Sequence, residues 1–269
     1  LPDVRLARLV AQPDNFCQYN PAEPALWNPG HLYGDSTMHM KSLKKAPGRI
    51  MRALRADTSG IAMIEFAYAL PLLMVVGGFG IEMTNLATVN QSVSQSALAL
   101  ADNMSRVGAQ SALSTVQIRE SDINDSFIGL IRQTSTLNLT SNGRVILSSL
   151  EQNASGGQWI HWQRCIGTKN VASAYGPQGT GATGTSFAGM GSASARITAP
   201  PGAAVMFVEI VYDYPALFGT MFIPARTIRY EASFVVRDDR DLAGPTGGDG
   251  VYNPNPAATS YTCNRLTAT

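Results

Sequence analysis

The chain has 269 residues, of which 45% are hydrophobic and only 14% charged, with a net charge of +1. An average soluble domain carries about 25% charged residues, so this balance excludes a disordered polyelectrolyte, and the near-zero net charge gives no global field to gather nucleic acid, which is not an expected partner. Three cysteines, Cys17, Cys165 and Cys263, none in a C-x-x-C pair, exclude a disulfide-dense scaffold and permit at most one intrachain bridge.

Residues 1–39 contain Pro13, Pro21, Pro24 and Pro29 among scattered Asn and Gly and follow neither a helix nor a strand period. They read as an extension, disordered or lying ahead of the true start. Met38, Met40 and Met51 would each leave a basic leader before Gly60, and Met40 is the most natural because Lys41 follows it. The leader, residues 40–60, gathers Lys41, Lys44, Lys45, Arg49, Arg52 and Arg55, with Asp57 as its acid.

From Ile61 to Ile81 the chain reads IAMIEFAYALPLLMVVGGFGI, in which Glu65 alone is charged. About 20 apolar residues at 1.5 Å each match the thickness of a bilayer. Lys and Arg crowd its N-terminal side and do not return until Arg106, so the positive-inside rule puts the N-terminus in the cytoplasm and the rest of the chain outside. Over residues 82–110 the pattern turns amphipathic without a break: Leu86, Val89, Val93, Ala97, Leu100, Met104 and Val107 recur at steps of three and four. One helix from about Ala62 to Val107, on the order of 70 Å long, is predicted, with Gly108 as its stop.

Residues 111–241 are predicted to form the outer domain. A short helix is expected over Asp122 to Arg132, where Ile123, Phe127, Leu130 and Ile131 share a face and Ser121 is placed to cap. Strands are expected at Arg144–Leu150 and Gln158–Cys165, bounded by the turn signals Asn142-Gly143 and Gly156-Gly157 of a hairpin. Ala204–Asp213 is apolar at nearly every position, as in a central strand covered on both faces. In Thr227–Arg237, Ile228, Tyr230, Ala232, Phe234 and Val236 alternate with polar residues, so one face is buried. The Gly/Ser/Thr/Ala-rich segment 176–194 and the Pro/Gly-rich tail, residues 242–269, read as surface loop or linker. The expected fold class is α+β: a long N-terminal helix, transmembrane then amphipathic, followed by a small, mostly antiparallel sheet with a short helix.

The chemistry concentrates at Ser59-Gly60-Ile61-Ala62-Met63-Ile64-Glu65-Phe66. A secretory signal places its small-residue cleavage site after the apolar run and discards the run. Here the small residue precedes it, so cutting after Gly60 would leave the helix as a new N-terminus at Ile61. A carboxylate at mid-bilayer costs about 2.5–3.5 kcal/mol, and the α-amino group freed on Ile61 of a neighbouring subunit would offset that cost for Glu65. Pro71 removes a backbone hydrogen bond and is expected to kink the span. Gly77, Gly78 and Gly80 offer a small-residue surface to other helices.

The segment DTSGIAMIEFAYALPLLMVVGGFGIEM resembles the N-terminal motif of TadE-like proteins, minor pseudopilins of tight-adherence (Flp) pilus systems. Gly60, Glu65, Phe66, Ala67 and Pro71 carry the likeness, which covers about Arg55 to Asn90. It implies cleavage after Gly60 by a prepilin peptidase, Glu65 as fifth residue of the mature helix, and a role in pilus assembly. It further implies residence in a bacterial inner membrane with the outer domain periplasmic, and partners among pilin subunits, the inner-membrane assembly machinery and the lipid bilayer. The alternative, from another class, is an uncleaved single-pass anchor carrying a periplasmic binding or sensor module.

Elsewhere the signals are weaker. Cys165 and Cys263 both fall outside the membrane and are expected to pair, joining the second strand to the tail; a zinc site built on His161 and Cys165 lacks a full ligand set, and Cys17 receives no role. Gly179-Thr180-Gly181-Ala182-Thr183-Gly184 spells a dinucleotide fingerprint without the strand before it or the helix after it. Asp238, Asp239 and Asp241 read as a solvated, self-paired turn with Arg237 and Arg240 more readily than as a calcium loop. Trp159, Trp162, Tyr212 and Tyr214 divide between core and a recognition patch. His161 is the only histidine after residue 39 and has no nucleophile motif beside it, so no enzyme and no cofactor or metal are expected.

Overall fold

The computed structural model describes residues 47–57, 59–110, 115–246 and 248–268. The expectations placed on residues 1–39, on Cys17 and on Met40 lie outside these. The chain divides into two units between Gly60 and Ile61. In the first, α1 (Pro47–Ala56) opens on a proline, which at the first helical position has no hydrogen bond to lose, and carries Arg55 in its last turn, where a cation suits the helix dipole.

The second unit is built on α2 (Ser59–Arg106), one helix of 48 residues that continues through Pro71. After it come β1 (Ala109–Gln110), β2 (Val116–Gln117), α3 (Glu120–Gln133), α4 (Leu139–Asn142), β3 (Gly143–Gln152), β4 (Gln158–Ile166), β5 (Val205–Tyr214) and β6 (Arg226–Val235). The last four form one sheet in the order β4-β3-β5-β6, and every neighbouring pair is antiparallel. The layout is α+β, a long apolar helix followed by a small antiparallel sheet and a short helix.

The main core lies where the second half of α2 and α3 meet one face of the sheet. Val93, Ala97, Leu100 and Met104 from α2 and Ile123 and Phe127 from α3 join Leu147, Trp162, Met206, Val208 and Ile210 in one buried cluster. Alternation puts Val205 and Phe207 of β5 on the opposite face, where they cluster with Leu150, Ile160, Met190 and Ala199. β5 is therefore buried on both sides, which its unbroken apolar sequence demands. β6 is an edge strand with Ile228 and Ala232 inward and Thr227, Arg229 and Glu231 outward.

The two segments read as loop or linker are part of the fold. Gly176–Ser194 is irregular but pinned: the amide of Ile160 donates to the carbonyl of Thr180 (2.9 Å) and that of Gly179 to Ile160 (2.8 Å). Asn153 Nδ2 donates to the carbonyls of Gly181 and Gly184 at 2.8 and 2.7 Å. Met190, just beyond the fingerprint-like glycines, is fully buried. The tail runs back across α3 and β4, with the amide of Tyr252 on the carbonyl of Ile118 (2.8 Å) and that of Cys165 on the carbonyl of Tyr261 (2.7 Å). A disulfide joins Cys165 to Cys263, 98 residues apart, and closure of a loop of that length is worth roughly 4–5 kcal/mol in chain entropy. Arg144 donates to the carbonyls of Gly167 (2.7 Å), Cys263 (2.6 Å) and Arg265 (2.7 Å).

One terminal detail differs from expectation, and another stands where expected but for a steric reason. α3 starts at Glu120, and Ser121 sits inside its first turn; Asp122 reaches back to accept the amide of Arg119 at 3.0 Å, the carboxylate half of a capping box. Gly108 closes α2 through lack of room, because a Cβ there would run into the side chain of Val116. The orphan carbonyls of Met104 and Val107 accept from the buried guanidinium of Arg240 at 3.1 and 2.6 Å.

Arg164 and Glu120, each at most 2% exposed, form a buried pair joined on one side by Asp249 at 2.8 Å. Arg164→Met leaves the Glu120 carboxylate desolvated without a counter-ion and should cost about 3–5 kcal/mol in urea unfolding, whereas adding Glu120→Leu should recover most of that loss.

Candidate functional site

From Ile61 to Ile81, α2 is apolar on every face except at Glu65, and no side chain of the stretch is buried; Ile61 and Phe66 are each 60% exposed. A helix that is apolar on every face and uncovered by its own protein belongs in lipid or against other apolar helices. It is the one helix among the described residues long and apolar enough to cross a membrane.

Ser59 and Gly60 form the first turn of α2. A Cβ at Gly60 would meet nothing within 4 Å, so packing does not require glycine there. Glu65 is exposed and stands four residues beyond Ile61, on the same helix face. At Pro71 the helix continues, at the expense of the hydrogen bond that the Ala67 carbonyl would otherwise receive. The three glycines divide: Gly77 and Gly80 are open, but a Cβ at Gly78 would fall 2.8 Å from Cζ of Phe222. Gly78 thus serves a contact within the chain.

The residue that sequence reading passed over is Glu82. It is fully buried, and its carboxylate accepts from the hydroxyl of Tyr214 (2.7 Å) and from the amides of Leu217 (3.3 Å) and Phe218 (3.1 Å). Asn85, one turn on, donates to the same hydroxyl at 2.6 Å. Glu82 lies four residues before Leu86 and so extends the buried stripe by a turn; that spacing was the signal. From this point α2 faces protein along one side, through Leu86, Val89 and Val93.

The remaining candidates resolve into structural roles. With Cys165 in a disulfide, His161 bonds Glu151 through Nδ1 at 2.8 Å and stacks on Trp159. Glu151 also accepts from Ser149 at 2.6 Å, so the acid lies between hydroxyl and imidazole, and the Ser-to-His hydrogen bond of a nucleophile and its base is not made. Asp241 accepts from Tyr252 and from the amides of Ala243 and Gly244, while Arg240 turns inward to cap α2, so the acidic turn is tied to the tail and not merely solvated. Among the described residues no three His, Cys, Asp or Glu side chains stand together as a metal site. Trp162, Tyr212 and Tyr214 are buried, leaving Trp159 half-buried.

Comparison with protein-family models, with curated proteins and with solved structures gives no match to the chain.

Glu82→Ala should free the amides of Leu217 and Phe218, raising their hydrogen exchange selectively, with Glu82→Gln intermediate because its carbonyl keeps one acceptor. Unchanged exchange in both variants would show that the carboxylate does not hold the loop.

Proposed function

We propose that this chain is a TadE-like minor pilin protein, processed after Gly60, anchored by α2 and taking part in assembly of a tight-adherence pilus. The carrying observation is the division of one unbroken helix, exposed and apolar from Ile61 to Ile81, then packed on its own domain from Glu82 to Met104. A helix built so is free to leave lipid for contacts with other helices while its domain stays folded, as filament assembly requires. Gly60 is compatible with the reading, since a glycine with no described neighbour within 4 Å of a Cβ leaves room for a prepilin peptidase to approach the backbone. The basic residues before Gly60 fit a cytoplasmic leader and a periplasmic outer domain at the inner membrane.

After cleavage the Ile61 amine and the Glu65 carboxylate stand at the same end of the helix. In the membrane-held subunit they lie near the headgroups, where both are solvated. In an assembly, Glu65 of one subunit pairs with the Ile61 amine of the next, and lateral contacts at Gly77 and Gly80 supply close packing.

N-terminal mass spectrometry of the membrane-extracted protein should find a chain beginning at Ile61, and Gly60→Ala should return the uncleaved form. A wild-type chain that retains residues 41–60 would instead support the uncleaved anchor with a binding or sensor module. Glu65→Gln should leave cleavage intact and reduce piliation at least several-fold, since the attraction to the amine is lost while the shape is kept. Full piliation in that variant would remove the pairing.

A further inference from the structure

The connection between β5 and β6 is an apolar tongue, Pro215-Ala216-Leu217-Phe218-Gly219-Thr220-Met221-Phe222-Ile223-Pro224-Ala225, with no charged residue in its length. A tongue on a water-facing loop would be expected to be polar, yet Met221 is 78%, Leu217 57% and Phe218 44% exposed. Its underside is fixed. Phe222 lies over Gly78, Phe218 meets Phe222 edge-on at 5.5 Å, and Glu82 accepts the amides of Leu217 and Phe218. Much of the apolar surface of Leu217, Phe218 and Met221 stays uncovered, on a loop held at a defined height along α2.

That height can be measured along the helix. With Ile61 at one edge of the hydrocarbon, Gly78 lies about 26 Å and Glu82 about 32 Å further on at 1.5 Å per residue, against a hydrocarbon thickness of about 30 Å. The tongue is therefore level with the outer edge of the same apolar layer that α2 crosses, and its exposed surface continues that of the helix. At its root, Arg226 is exposed at the start of β6, where a cation next to apolar side chains suits lipid phosphate.

We infer that the β5–β6 tongue inserts Leu217, Phe218 and Met221 into the outer leaflet of the bilayer, making a second membrane contact that fixes the orientation of the outer domain. The inference rests on the reading of α2 as a membrane anchor and adds to it a lipid-binding surface on the domain itself. Buried depth of this kind, about the headgroup and first methylenes, adds to anchorage without spanning. It also requires that the tongue withdraw from lipid when a subunit leaves the membrane, exposing the same surface to a neighbouring subunit.

The test uses the full chain carrying Cys17→Ser, so that no native thiol remains free outside the disulfide, reconstituted into vesicles of phosphatidylcholine and phosphatidylglycerol. Single nitroxide labels are placed at Met221→Cys, at Leu73→Cys in the middle of the span, and at Ser186→Cys, exposed beyond the far end of the sheet. Accessibility to oxygen and to a water-soluble nickel chelate is read at each. The expected result is loss of nickel access with high oxygen access at residues 73 and 221, and full nickel access at 186. Nickel access at 221 with residue 73 in lipid overturns the tongue insertion alone. Nickel access at 73 as well overturns the anchor reading beneath it. A label at 221 shielded from both reagents means that protein covers the tongue, and it overturns insertion in favour of contact with a second copy. Because residue 221 is exposed, its replacement does not put folding at issue.

Discussion

A carboxylate with no access to solvent decides how the domain is mounted on its helix. Glu82 closes a ring of donors: the Tyr214 hydroxyl at the end of β5 and the amides of Leu217 and Phe218 at the start of the next connection. A buried carboxylate without such partners would be prohibitively costly, so helix, strand end and loop are held to one arrangement. N-terminal to it α2 is largely uncovered and, Glu65 apart, apolar from Ile61 on, and C-terminal to it the helix has a protein-facing side. On the membrane-anchor reading proposed above, the two halves of the helix meet different solvents, and Glu82 marks the change.

Beyond that junction the domain depends on arginines used as polar staples for irregular chain. Arg144 ties three carbonyls of the tail and of the loop after β4, Arg240 takes the last carbonyls of α2, and Arg164 holds Glu120 and Asp249. A guanidinium has five donors in a fixed plane, so one side chain satisfies groups that a ladder of hydrogen bonds cannot reach. With few charges in the chain, these three are spent inside. The tail and the Gly-rich segment are thereby converted into covers for the sheet edge and its second face, and the disulfide fixes the tail at β4.

Regular elements were legible because their periods are set by burial. The α2 stripe, the double burial of β5 and the alternation of β6 each follow from one or two covered faces, and the observed ends differ from the reading by at most three residues. The tail and the segment after β4 were not, because irregular backbone has no period and is held by single residues such as Met190, Val251 and Tyr261, which carry no local signal. Glu82 was missed for a different reason: a charged residue at the end of an apolar run reads as the point where water begins. Its spacing from Leu86 contradicted that, but only the donors of Tyr214, Leu217 and Phe218, more than 130 residues away, explain why burial is tolerated. The processing proposed at Gly60 is the reverse case: it rests on the order of residues in the sequence, and the open first turn of α2 carries no special geometry of its own.

The claim that one helix changes solvent at Glu82 is tested most directly by thiol accessibility along α2. Single cysteines in a Cys17→Ser background, from Leu72 to Val93 in reconstituted vesicles, would be challenged with a charged maleimide. The account predicts no reaction on any face through Ile81, then reaction recurring every three to four residues, with Thr84, Thr88 and Gln91 positions labelled and Leu86, Val89 and Val93 protected. Periodic labelling that begins upstream of Gly77, or uniform labelling across residue 82, would contradict it.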